Sequence, residues 1–266
     1  MSDELLAKAI ECMDIAAELS GAHLYRQALK ELDKADEILF ELEGYMDVEN
    51  LLARCCLDKG EIYWSVCEEL DEFNLNLETT YKVAKTVLTY CEAESDIYLT
   101  WTERIVWICG LIIDNEEHVS FDVVRDYVVC NIVFFVNNLS FDKSVTVERA
   151  LRCADLMKKL SQDNIEIAMA QWLAGCAMLC IGKTENKRKA VRLIMGACRV
   201  VASKREMSFV AVGEGYVADY HFQRGEYELA EKWYKDAVKH MKTSAVNYSR
   251  YIALYSDRIA ECQNRM

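Results

Sequence analysis

No proline occurs anywhere in the 266 residues of this chain, although an average usage of about 5% would give roughly a dozen. Proline inside a helix costs about 3 kcal/mol, whereas turns and extended linkers use it readily. The chain is therefore suited to helices that follow one another through short turns. Its length allows one large or two small domains with a sizeable core. Its 52% of hydrophobic and 28% of charged residues are typical of a globular protein.

Apolar residues recur at helical spacing along most of the chain. A clear example near the N-terminus is the stripe formed by Ala28, Leu32, Ala35, Ile38 and Leu39. Glycine, asparagine and serine interrupt the pattern and leave segments of roughly 14–26 residues, each long enough for one helix. We therefore expect about twelve helices in one continuous domain. The β-branched stretch 128–136 is predicted to be a buried helix, since a lone strand would have no sheet to join.

A helix–turn–helix motif recurs in the sequence. Its clearest copy, near the C-terminus, combines small and aromatic residues around a turn: Ala218, Gly225, Tyr227, Ala230, Tyr234 and Ala237. A second copy uses Ala16, Tyr25, Ala28, Leu32 and Ala35. A third uses Gly175, Gly182, Ala190, Ile194 and Ala197, and a weaker fourth uses Gly60, Tyr63, Leu77, Tyr81 and Ala84. The motif resembles the tetratricopeptide repeat (TPR), whose small residues let two paired helices approach closely.

The resemblance to the TPR family covers about half of the chain. It implies an all-α fold, a right-handed superhelix of about six antiparallel helical hairpins, with residues 246–262 as a capping helix. The copies recur at about 43–44 residues instead of the usual ~34, and residues 95–150 show no clear copy. The sequence thus predicts a divergent TPR-like α-solenoid, and an irregular helical bundle is the alternative.

In TPR proteins the first helix of each hairpin lines a concave groove that binds a segment of another protein. The resemblance implies the following groove residues here: Met13, Ala17, Ser20, Met169, Trp172, Cys176, Leu179, Val212, Asp219 and Phe222. Such a groove would be mostly apolar and would select apolar side chains of a peptide or helix. The expected function is therefore that of a non-catalytic scaffold or adaptor for protein–protein interaction. An ordinary core position is the alternative for each of these residues.

Charge is distributed unevenly along the chain. Residues 1–150 carry a net charge of −19 and residues 151–266 one of +6, within a total of −13. The basic part contains a cluster formed by Lys183, Lys187, Arg188, Lys189, Arg192, Lys204 and Arg205. This cluster indicates an alternative function, a regulatory or assembly factor that contacts nucleic acid or a phosphorylated or acidic partner. A solvated turn is the simpler interpretation. The opposite charges of the two halves also allow head-to-tail self-association.

Sequence motifs of catalysis are missing. The chain has no G-x-S-x-G elbow, no G-x-x-x-x-G-K-[ST] phosphate loop and no G-x-G-x-x-G motif. Cys176 and Cys180 lie one helical turn apart and could form half of a metal site, but no second pair matches them. We therefore expect no enzyme, no metal and no cofactor. A helical enzyme whose site is invisible in the sequence is a third hypothesis.

The twelve cysteines favour a reducing compartment. Asp3 and Glu4 occupy the place where a signal peptide has basic residues. No window approaches the 18 uncharged apolar residues that suggest a membrane span. Without secretion, the thiols should stay reduced and lie mostly in the core. We expect a cytoplasmic or nuclear protein that does not enter a membrane.

Overall fold

The computed structural model describes residues 2–42, 44, 48–69, 77–92, 95–138, 145–181, 186–202, 209–244 and 247–266. Within these ranges the chain forms twelve α-helices and no strand. In chain order they are α1 (Ser2–Gly21), α2 (Tyr25–Glu41), α3 (Val48–Glu69), α4 (Leu77–Tyr90), α5 (Asp96–Asn115), α6 (Phe121–Asn138), α7 (Val147–Leu160), α8 (Asn164–Cys180), α9 (Lys187–Ala202), α10 (Val210–Gln223), α11 (Tyr227–Thr243) and α12 (Ser249–Arg265). The predicted all-α class is confirmed.

Local sequence explains where several helices begin and which face they bury. The Thr146 side chain accepts a hydrogen bond from the Arg149 amide at the start of α7. The Asp163 side chain accepts one from the Ile165 amide at the start of α8. Each satisfies a backbone donor that the helix itself leaves unpaired. The predicted helix over residues 128–136 is confirmed within α6. In α2 the predicted apolar stripe is buried at Ala28, Leu32, Ala35 and Leu39.

The chain divides into two compact units, Met1–Ile108 and Cys109–Met266, with the division inside α5. In the first unit α1 and α2 form a hairpin, α3 packs against both, and α4 packs against α3. The core of this hairpin and α3 gathers buried apolar side chains, among them Ala9, Met13, Ala16, Ala28, Leu32, Leu39, Cys55 and Ile62. The single continuous domain expected from the sequence stays a prediction.

In the second unit each helix from α6 onward contacts the next one along the chain. In addition, α8 contacts α6 and α10, and α10 contacts α12. The approach of α8 to α9 is close at Gly175, the small position predicted for the third copy of the motif. A Cβ atom there would lie 2.7 Å from Ile194 Cγ1 and 2.9 Å from the carbonyl oxygen of Ala190. A residue without a side chain therefore allows this contact.

The C-terminal helix and the cysteines both contribute buried side chains. Helix α12 begins at Ser249, whereas the capping helix was predicted from residue 246, which lies outside the described residues. Tyr248, just before the helix, and Tyr251 and Tyr255 within it are buried, and the capping role of the helix stays a prediction. All twelve cysteines are free and nine of them are buried, as predicted. No helix within the described ranges has the length and apolar character that a membrane span needs.

Candidate functional site

The predicted groove residues differ in exposure. Four of them are buried: Met13, Trp172, Cys176 and Val212. The others reach the surface, fully at Ala17 and partly at Ser20, Met169, Leu179, Asp219 and Phe222. The residues on α1 belong to the first unit and all others to the second. Only the exposed and half-buried residues have side-chain surface that a partner could contact.

Trp172 illustrates why part of the predicted set is buried. Its indole packs against Phe135 and Phe209, whose ring centroids lie 6.0 and 5.2 Å away. Helix α10 passes so close that a Cβ atom at Gly213 would collide with the indole nitrogen. This nitrogen has no hydrogen-bond partner among the described residues. Trp172 therefore lies in the core between α6, α8 and α10.

Leu179 and Asp219 come together at a cleft of ≈ 190 Å³ in the second unit. We call it the α8–α10 cleft, since most of its lining belongs to these helices. The other lining residues are Cys180, Lys187, Tyr216, Tyr220 and Gln223. Aromatic rings, a carboxylate, an amide and an ammonium group thus share one cleft. This lining has more polar groups than the mostly apolar groove expected from the sequence.

Three polar residues of the α8–α10 cleft form side-chain hydrogen bonds. The Tyr234 hydroxyl donates a hydrogen bond to Asp219 Oδ1. Lys187 Nζ donates one to Gln223 Oε1 over 3.3 Å. Burial raises the pKa of Asp219, against the opposing influence of the Tyr234 hydrogen bond and of Arg258. The hydrogen bond from Tyr234 holds the Asp219 carboxylate in place as part of the cleft wall.

The thiol in this cleft is not activated. Cys180 is exposed as a residue, but the groups packed around its thiol raise the pKa of Cys180 to about 12, so the thiol stays protonated at neutral pH. Reactive cysteines need a lowered pKa instead. No group of three or more His, Cys, Asp or Glu within the described ranges could hold a metal ion.

The predicted basic cluster is described only in part. Three of its members lie outside the described residues: Lys183, Lys204 and Arg205. The other four lie at the start of α9: Lys187, Arg188, Lys189 and Arg192. Lys187 lines the α8–α10 cleft, and the other three are exposed. Helix α9 contains no acidic residue, so its exposed face is purely basic.

A second cleft, of ≈ 180 Å³, lies between α9, α10 and α11, and we call it the α9–α11 cleft. Its apolar lining consists of Ile194, Met195, Cys198, Val210, Val217 and Trp233. Arg199 and Glu214 are its charged residues. Sequence reasoning missed this cleft because three helices contribute to it. The one available signal was Glu214, the single acid in the apolar first half of α10.

No protein-family model matches the chain, and no curated protein sequence matches it. The function therefore has to be inferred from the two clefts and the charges around them.

Proposed function

We propose that this chain is a non-catalytic protein-interaction module, a scaffold or adaptor that holds a segment of a partner protein in the α8–α10 cleft. The observation that carries the proposal is the shared cleft of Leu179 and Asp219. Both were predicted as groove residues, and they belong to different hairpins, α8–α9 and α10–α11. A surface assembled from neighbouring hairpins is how repeat proteins bind extended partners.

The helix contacts support a TPR-like α-solenoid as the framework of this module. Helices α8 and α9, and likewise α10 and α11, are paired neighbours, while α8 contacts α10 and α10 contacts α12. First helices that touch along a row are expected when hairpins stack on one another. The right-handed superhelix and the count of about six hairpins belong to the same proposal. Free and mostly buried cysteines favour a cytoplasmic or nuclear location.

The chemistry of the cleft determines what kind of segment would bind. Apolar partner side chains would bury surface against Leu179, Tyr216 and Tyr220 at about 25 cal/mol per Å². Asp219 and Lys187 would then select among partners through charge and hydrogen bonding. Binding of this kind needs neither a nucleophile nor a metal.

A photo-crosslinking residue at Gln223, which is exposed at the rim of this cleft, tests the proposal in cells. The matched control carries the same residue at Asp257, an exposed position on α12. We expect a discrete protein adduct from position 223 that disappears when Leu179→Arg is added. Equal adducts from both positions, or an adduct that persists with Leu179→Arg, would show that the cleft is not the binding site.

The exposed bases of α9 favour a second candidate function, contact with nucleic acid or another phosphorylated partner. Arg188, Lys189 and Arg192 are exposed on a helix without acids, and phosphate binding draws on such surfaces. Retention on a polyanion column should fall with rising salt, and it should be lost when the three bases are changed to Glu. The same change at Lys232 and Lys239, exposed on α11, is the control. Retention unaffected by the α9 changes would reject this candidate.

A further inference from the structure

Three arginines of α9 form a stripe on its exposed side. Arg188, Arg192 and Arg199 are four and seven residues apart, which places them on one face of the helix, and all three are exposed. None of them forms an ion pair with a residue in the described part of the chain. In a chain with a net charge of −13, this arginine stripe is a local positive surface that no carboxylate of the described residues neutralises by an ion pair.

The α9–α11 cleft opens beside the arginine stripe. Met195 lies three residues after Arg192 and four before Arg199, so it belongs to the same face of α9. Both Met195 and Arg199 line the cleft, and Trp233 of α11 is part of its wall. Met195 and Trp233 are half-buried and thus keep apolar surface that a ligand could cover. An apolar cleft and a positive edge therefore adjoin.

Carboxylates on the other two helices restrict where the negative charges of a ligand could lie. Glu214 of α10 lines the cleft, and its Oε2 atom lies 2.7 Å from Nδ1 of His240 on α11. Asp236, also on α11, acts electrostatically on Glu214. The carboxylates of Glu214 and Asp236 would repel acidic residues of a ligand on the α10 and α11 sides of the cleft. Acidic groups of a ligand would therefore follow α9.

We propose that the α9–α11 cleft binds a segment of a partner protein in which a bulky apolar side chain is flanked by aspartate or glutamate. The apolar side chain covers Met195 and Trp233, and the flanking acids pair with Arg192 and Arg199. A protein segment fits better than nucleic acid because phosphates would satisfy the arginines and leave the apolar cleft uncovered. This inference shares with the proposed function only the premise that the chain binds proteins. The two proposals concern different surfaces, the α9–α11 cleft here and the α8–α10 cleft there.

The probe for this proposal is a phage-displayed library of short random peptides, selected against the full chain. We expect the enriched peptides to share an aliphatic or aromatic residue next to Asp or Glu. By fluorescence anisotropy, their affinity should fall about tenfold or more for Arg192→Glu with Arg199→Glu and for Trp233→Ala. The control with the same charge change, Lys158→Glu with Lys159→Glu at exposed positions of α7, should bind as the unchanged chain does. Circular dichroism melting verifies that each variant is folded.

Several results would overturn the proposal. Failure to enrich any peptide, enrichment of peptides without acids, or equal losses with the lysine control would each exclude an acidic segment on this face. Peptides released by Leu179→Arg but not by Trp233→Ala would leave the α8–α10 cleft as the binding site and the proposed function intact. An oligonucleotide that binds through the arginines regardless of Trp233→Ala would favour nucleic acid. Light scattering that shows oligomers dispersed by Arg192→Glu with Arg199→Glu would identify a second copy as the occupant.

Discussion

The Oε2 atom of Glu214 lies 2.7 Å from the Nδ1 atom of His240, which joins α10 to α11 beside the α9–α11 cleft. Glu214 is only 7% exposed, and burial raises its pKa, against the opposing influence of His240. A buried carboxylate needs a partner, and breaking such a pair from one side leaves a charge without compensation. The two residues therefore depend on each other in the folded protein.

Glu214→Gln should make the protein less sensitive to pH on the acidic side. Below the ordinary glutamate pKa of 4.5, the carboxyl group is protonated in both states. As pH rises above this value the unfolded chain loses its proton first, while the folded protein keeps it until its raised pKa is passed. In the unchanged chain the free energy of unfolding, relative to that of Glu214→Gln, therefore falls as pH rises from the ordinary pKa to the raised pKa of Glu214. Above the raised pKa the difference levels off.

Urea denaturation at several pH values between about 3 and 7 checks this difference. Asp257→Asn, which removes an exposed carboxylate on α12, is the control for the loss of one negative charge. A difference between Glu214→Gln and the unchanged chain that is constant over the whole range would contradict the raised pKa.

Trp172→Ala should unfold the protein more easily instead of weakening a binding surface. The indole is fully buried against Phe135 and Phe209, and removal of a buried tryptophan costs about 3–5 kcal/mol. Trp172→Phe keeps a ring in the core and removes the indole N–H, which has no hydrogen-bond partner among the described residues. It should therefore lower the free energy of unfolding by only about 1–2 kcal/mol. Leu179→Ala, at a half-buried position, should cost about 1 kcal/mol or less. Chemical denaturation ranks the three, and a stable Trp172→Ala protein that loses its partner would restore the groove prediction.

The amphipathic helices could be predicted from the sequence because they bury one face. In α2 the stripe Ala28, Leu32, Ala35 and Leu39 is buried, while the charged residues Lys30, Asp33, Lys34 and Glu37 between these positions are exposed. Helix α8 differs, because every residue from Trp172 to Met178 is buried. Periodicity cannot distinguish a groove residue from a core residue on a helix that is covered on all sides. For this reason the sequence predicts Trp172 and Cys176 as groove residues although the structure buries them.

The two clefts show a further limit of sequence reasoning. Leu179 and Asp219 both belong to the groove set that the TPR resemblance implies, and the structure places them in one cleft. The α9–α11 cleft combines Met195, Glu214 and Trp233 from three helices, and no motif of the sequence relates these three positions. The packing of the helices determines which residues far apart in the sequence come into contact. The apolar pattern of a single helix does not contain that information.

Arg104→Lys should destabilise the first unit although it keeps the positive charge. The Arg104 guanidinium lies over the rings of Trp64 and Trp101, 4.9 and 4.4 Å from their centroids. It also donates two hydrogen bonds to the carboxylate of Glu61, of 2.6 and 3.0 Å. Lysine has no planar fork to make both contacts, so we expect a loss of about 1–2 kcal/mol. Arg54→Lys is the control, since Arg54 is 51% exposed and should change stability by less than about 0.5 kcal/mol. Equal effects in urea denaturation would contradict the stacking argument.

Alanine substitutions at Gly175 and Gly196 should have opposite effects, although both residues lie in the helices of one hairpin. A Cβ atom at Gly175 would lie 2.7 Å from Ile194 Cγ1 and 2.9 Å from a backbone oxygen of α9, whereas nothing lies within 4 Å of one at Gly196. Alanine favours a helix over glycine by about 1 kcal/mol, so Gly196→Ala should raise the free energy of unfolding by up to that amount. At Gly175 the overpacking outweighs this gain and should leave a net loss of about 1–3 kcal/mol. Thermal and urea unfolding measure the stability of the two variants. A higher free energy of unfolding for both would show that α8 and α9 do not need a glycine for their close approach.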